Sequence, residues 1–118
     1  MKDTNAMSPQ NYLDKQVAIK KASVVEKINE ALNDHAADPL YVEWVEVIID
    51  GDYSTTVRNE AAKDFIRAGW KKIYHRTSAE NGERPGLTRF ALLTEETVEK
   101  WEHRNNRNKF WCVSEVDV

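Results

Sequence analysis

The run Tyr41-Val42-Glu43-Trp44-Val45-Glu46-Val47-Ile48-Ile49 constrains this chain more than any other stretch. β-Branched and aromatic residues dominate it, which marks a strand. Its apolar side chains occupy both parities: Tyr41, Val45, Val47 and Ile49 on one, Val42, Trp44 and Ile48 on the other. A strand apolar on both faces is expected at the centre of a covered sheet. Asp50-Gly51-Asp52 closes it as a turn.

The flanking segments supply the rest of a small α+β domain. Upstream, Leu13, Val17, Val24, Val25, Ile28, Ala31 and Leu32 recur at helical spacing, so residues 13–33 read as an amphipathic helix. Downstream, Ser54, Thr55 and Thr56 offer N-caps for a second helix. Its apolar face is Val57, Ala61, Phe65 and Ala68, with Ala62 and Ile66 beside it, and Gly69 sits where a left-handed C-terminal cap belongs. Lys71–Thr77 and Leu87–Leu93 read as strands, and residues 78–86, with Asn81-Gly82 and Pro85-Gly86, join them as a hairpin. Thr94-Glu95-Glu96 caps a short third helix that buries Val98 and Trp101, and residues 110–116 form a last, edge strand.

The expected order is therefore α-β-α-β-β-α-β. The expected fold is an α+β two-layer sandwich, with a mixed sheet of about four strands, two main helices on one face and a short third helix. A winged helix is disfavoured, because residues 41–49 are too apolar for the short strand of such a domain. At 118 residues the chain is one domain. Residues 1–11, polar and containing Ser8-Pro9-Gln10, are expected to be a flexible arm, and residues 12–118 the single domain.

Seventeen Lys+Arg stand against 20 Asp+Glu, a net charge of -3, which excludes binding driven by bulk positive charge. The charge is divided along the chain. Residues 1–60 hold 6 basic and 11 acidic side chains, whereas residues 61–118 hold 11 basic and 9 acidic. The stretch 67–76 concentrates Arg67, Trp70, Lys71, Lys72, Tyr74, His75 and Arg76. Arg84 and Arg89 follow on the hairpin, and Arg104 and Arg107 on a second basic stretch. These eleven residues are the candidate binding set. Cations interleaved with aromatics suit a phosphate backbone and stacked bases, and Trp, Tyr and Arg equally suit a protein interface.

Catalytic patterns are weaker. His35, His75 and His103 are isolated, and the single cysteine, Cys112, cannot build a zinc site or an intramolecular disulfide. Asp50 and Asp52 resemble the start of a calcium loop, but Thr55 occupies the position that needs Gly, and Ala61 the position that needs Glu. The four glycines form neither a P-loop nor a dinucleotide fingerprint. Metal-dependent cleavage of nucleic acid would need Asp50 and Asp52 near Lys71 or Lys72. His75, flanked by Tyr74 and Arg76, reads as a surface residue of the hairpin or, less simply, as an acid–base group.

No motif assigns a family. The expected reading is a small non-enzymatic binding protein acting through contacts with another protein, in the class of inhibitors and adaptors that phages and mobile elements encode. The alternative is a DNA- or RNA-binding domain using residues 67–76 and the hairpin, and the third is a metal-dependent nuclease at Asp50 and Asp52. No catalytic residue, cofactor or metal is expected, and a homodimer is among the partner classes. No window approaches the ~20 apolar residues of a bilayer span, and no secretory leader is evident, so a cytoplasmic protein with no membrane partner is expected.

Overall fold

The computed structural model of the chain describes residues 6–37, 44–78, 86–105 and 111–115. The order of elements is as expected: α1 (Pro9–Ala37), β1 (Val45–Asp50), α2 (Thr55–Arg67), β2 (Lys72–Thr77), β3 (Leu87–Leu93), α3 (Val98–Asn105) and β4 (Cys112–Glu115). Helix α1 begins at Pro9, where its missing N–H removes no helical bond. Residues 9–11, expected within the arm, are thus its first turn. The Ser54 side chain caps α2 by accepting from the Val57 N–H at 3.2 Å. Gly69 ends the same helix at φ +119°, a conformation that a Cβ penalises.

The four strands form one sheet in the order β1-β3-β2-β4. Strands β1 and β2 run in the same direction, but β3 lies between them, so every ladder is antiparallel rather than mixed. This pairing also corrects the expected place of the 41–49 run. Its described part, β1, is an edge strand with Glu46, Ile48 and Asp50 exposed in alternation with buried Val47 and Ile49. Residues 41–43 lie outside the described residues.

Helices α1 and α2 cover one face of the sheet. Val24 and Ile28 of α1 and Val57, Ala61, Ala62 and Phe65 of α2 pack on Val47, Ile49, Ile73, Phe90 and Leu92. Each large apolar side chain removed from water there contributes about 1.5–3 kcal/mol. Ala68, expected on this apolar face, is the exposed C-cap. His35 Nε2 lies 3.1 Å from the Glu46 carbonyl and ties the end of α1 to β1. The opposite face carries a second, smaller core, in which Trp101 of α3 packs with Ala91 and Leu93. Helix α3 thus lies across the sheet from α1 and α2.

Candidate interaction surface

Alternation along each strand sends Ile48, Arg89 and Arg76 to the face opposite α1 and α2. The strand register then sets Ile48 beside Arg89, and Arg89 beside Arg76. The row continues onto Trp111, whose ring centroid lies 4.4 Å from the Arg76 guanidinium carbon. The next row is Glu46, Ala91, Tyr74 and Val113. Ile48 and Val113 are 51% and 46% exposed, which leaves two large apolar side chains at the rim of the arginine pair. Arg76 itself is buried and Arg89 half-buried, so the exposed part of this row is its apolar rim.

Helix α3 covers the neighbouring part of this face. Trp101 stacks on Tyr74 with centroids 4.4 Å apart and meets Trp111 edge-on at 5.2 Å. Its Nε1 donates to Glu46 Oε2 at 3.3 Å, and the Trp44 indole donates to the same oxygen at 2.8 Å. Glu102 Oε2 accepts from Lys72 Nζ and from the Tyr74 hydroxyl, each at 2.5 Å. The Lys72 hydrogen bond, then that from Tyr74, holds the Glu102 carboxyl below the usual range. The bond to Glu102 raises Lys72, while burial, then the bond to Glu102, raises the Tyr74 hydroxyl. Arg104 lies over the Trp44 ring, 5.5 Å from its centroid.

The candidate residues named from the sequence therefore divide. Lys72, Tyr74, Arg76 and Arg89 share this face, with Arg104 at its border. Trp70 instead packs against the main core beside α1 and α2, and exposed Arg67 pairs with Asp64 at 2.8 Å at the end of α2. Lys71 is exposed and lies 3.4 Å from Glu95. Arg84 and Arg107 fall outside the described residues. Arg67, Lys71 and Lys72 each meet a carboxylate, as does Lys63 one turn earlier on α2, so these cations are ion-paired rather than an open cationic track.

His75 departs furthest from its expected surface position. It is fully buried on the helical face, where burial and the adjacent Arg58 guanidinium lower its pKa to about 3. Arg58 Nε donates to His75 Nδ1 at 3.0 Å. Arginine Nε always carries its proton, so the imidazole proton sits on Nε2, which donates to Ser114 Oγ at 3.3 Å. This tautomer presents no lone pair to Ser114. The pair lacks the geometry of a base activating a nucleophile. His75 is likewise shielded from any partner that meets Tyr74 or Arg76.

The carboxylates proposed for metal chemistry are also separated from their lysines. Asp50 is level with Leu87 and Lys72 with Leu93, six residues along β3, or about 20 Å. Asp52 accepts the Gly86 N–H at 3.1 Å and serves as a loop clamp. Among the described residues no three His, Cys, Asp or Glu side chains are grouped to hold a metal ion.

No family model, curated protein or solved structure matches the chain. The reading of the surface therefore rests on its geometry. Sequence patterning had left Ile48, Val113, Trp44 and Trp111 outside the candidate set. Their signal was parity: residues 46, 48 and 50 share one side of β1 and residues 113 and 115 one side of β4, and Trp44 and Trp111 continue the same parities just before each strand.

Proposed function

We propose that this chain is a non-enzymatic binding domain of the inhibitor or adaptor kind, which grips another protein with the sheet face opposite α1 and α2. The observation that carries the proposal is the row Ile48–Arg89–Arg76–Trp111, with Val113 beside it. Exposed aliphatic side chains beside Trp111, with exposed Arg104 over the half-buried Trp44 ring at the border, match the composition of interface centres. The complementary partner surface is a shallow apolar one that meets Ile48 and Val113. The ion-paired state of Lys63, Arg67, Lys71 and Lys72 favours this reading over nucleic-acid binding. A cytoplasmic setting belongs to the same proposal. It is supported by the lone Cys112, and among the described residues no helix is long and apolar enough to cross a membrane.

The test is affinity capture with the tagged domain and with an Ile48→Glu/Val113→Glu variant, both checked for folding by circular dichroism. A protein retained by the parent and lost by the variant is the expected result. Equal capture by both, or recovery of nucleic acid alone, overturns the proposal.

A further inference from the structure

Helix α1 is longer than the body it covers. Its 29 residues extend about 43 Å. The side chains that meet the main core run from Val17 to Leu32, so the first two turns project past the sheet. On the side turned away from buried Val24 and Ile28, helical spacing aligns Tyr12, Ile19, Glu26 and Glu30 in one stripe. Tyr12 is 55% and Ile19 61% exposed. Together with Met7, Lys15, Gln16 and Lys20, they line a shallow groove of about 360 Å³.

The charge along α1 divides at its middle. Residues 9–21 carry Lys15, Lys20 and Lys21 against Asp14, whereas residues 22–37 carry Glu26, Glu30 and Asp34 against Lys27. Two of these lysines are turned inward, Lys21 to Asp64 at 3.1 Å and Lys27 to the Tyr53 hydroxyl at 3.0 Å. The outward stripe therefore carries Lys15 with Tyr12 and Ile19 towards its N-terminal end, and Glu26 and Glu30 towards its C-terminal end.

From this pattern we infer that the outer stripe of α1 is a self-association surface that takes a second copy of the chain in antiparallel orientation. An antiparallel mate sets the basic half of each helix against the acidic half of the other, twice over, across a two-fold axis. With Ile19 beside Ala22 of the second copy, Lys15 comes opposite Glu26 and Tyr12 opposite Asn29. Ala22, Glu26 and Asn29 are exposed, so the contact displaces no packed side chain. Parallel pairing would set like charges together and is disfavoured by the same pattern. Because the stripe faces away from the sheet, the dimer keeps both opposite sheet faces outward and unobstructed. Two binding faces on one particle raise avidity for any partner that presents repeated sites.

Sedimentation equilibrium of the full chain over a concentration series tests the inference. The parent is expected to be a monomer–dimer equilibrium, and Ile19→Glu to raise the dissociation constant about tenfold or more. Lys15→Glu and Glu26→Lys should each weaken the dimer, and the double variant Lys15→Glu/Glu26→Lys should restore it to within about threefold of the parent. Ile19→Glu changes a 61% exposed residue, so its circular dichroism should match the parent and separate lost association from lost folding. A parent that stays monomeric at its highest soluble concentration overturns the inference. So does a dimer that survives Ile19→Glu but dissociates with Ile48→Glu, which would place the interface on the sheet instead. Failure of the double variant to rescue would overturn the antiparallel register.

Discussion

Arg58 Nε donates to His75 Nδ1 at 3.0 Å, joining α2 to β2 through two side chains that are both buried. The same guanidinium donates to the Tyr53 carbonyl at 2.7 Å and to Thr55 Oγ1 at 3.2 Å. His75 passes the chain to Ser114 of β4, whose hydroxyl donates to Asn59 Oδ1 at 3.3 Å. A polar thread thus runs from α2 through the sheet's helical face and back, satisfying groups that would otherwise be buried at a cost.

The thread makes stability depend on pH in a defined direction. His75 titrates near 6.5 in the unfolded chain and near 3 in the folded one. The unfolded state therefore binds the proton first as pH falls. The contribution of neutral His75 is complete above pH 6.5 and declines steadily down to about pH 3. Between pH 7 and pH 5 this group alone removes about 2 kcal/mol of stability. The lowered carboxyls of Glu60 and Glu102 act only at lower pH, near and below their ordinary value of 4.5. Urea midpoints at pH 7 and pH 5 should differ for the parent and nearly coincide for His75→Gln, whose amide can replace both hydrogen bonds. Equal pH sensitivity in the two proteins would refute a neutral buried imidazole.

Arg58→Met tests the other end of the thread. Methionine keeps much of the side-chain volume but leaves the Tyr53 carbonyl, Thr55 Oγ1 and His75 Nδ1 without this donor. The expected loss is about 2–4 kcal/mol by denaturant titration. Arg58→Lys should recover little of it, because an ammonium cannot reproduce the planar fork. A loss below about 1 kcal/mol would show that the network contributes little beyond its volume.

How far the fold was legible follows from where its signals reside. The boundaries of α2 were readable because Ser54 and Gly69 act on their own helix ends, within four residues. The place of β1 was not, because its second apolar parity is split: Trp44 packs with Trp101 of α3, whereas Ile48 is left exposed. Period-2 patterning reports that a face is apolar, not whether another element of the same chain covers it. The insertion of β3 between β1 and β2 is a long-range pairing with no local signature. Arg58 had a signal that went unused: it lies one turn before Ala62 and two before Phe65, on the buried side of α2. A charged residue in that position implies an internal partner, and His75 is that partner. Within the candidate surface, Tyr74, Arg76 and Arg89 were readable as one hairpin, whereas Ile48 and Val113 joined them only through the strand register.

The Tyr74 hydroxyl and Lys72 share one oxygen of Glu102, so these groups should be energetically coupled. Glu102 is about one-third exposed, and solvent moderates the ionic part of the contact. Tyr74→Phe and Glu102→Gln are each expected to destabilise the domain by about 1 kcal/mol. The double variant should fall short of the sum by roughly 0.5–1 kcal/mol, the signature of a direct bond. Strict additivity in a double-mutant cycle would show that the two side chains act independently.

Trp101 is the one fully buried residue of α3 among those described, and with half-buried Val98 it anchors the helix to the second core. Trp101→Ala removes its stacking on Tyr74, its edge contact with Trp111 and its bond to Glu46. A loss of about 3–5 kcal/mol is expected from the cavity and the lost transfer energy. The main core of α1, α2 and the helical face of the sheet shares none of these contacts, so the damage should be local. Hydrogen exchange should accelerate in residues 94–105 well before the amides of Val57, Ala61 and Phe65 respond. The indole at 101 is also the most shielded of the four, and acrylamide quenching of the remaining tryptophan emission should rise once it is gone. Uniform acceleration across α2 and α3 would mean that the two cores unfold as one unit, and that α3 is integral to the fold rather than docked upon it.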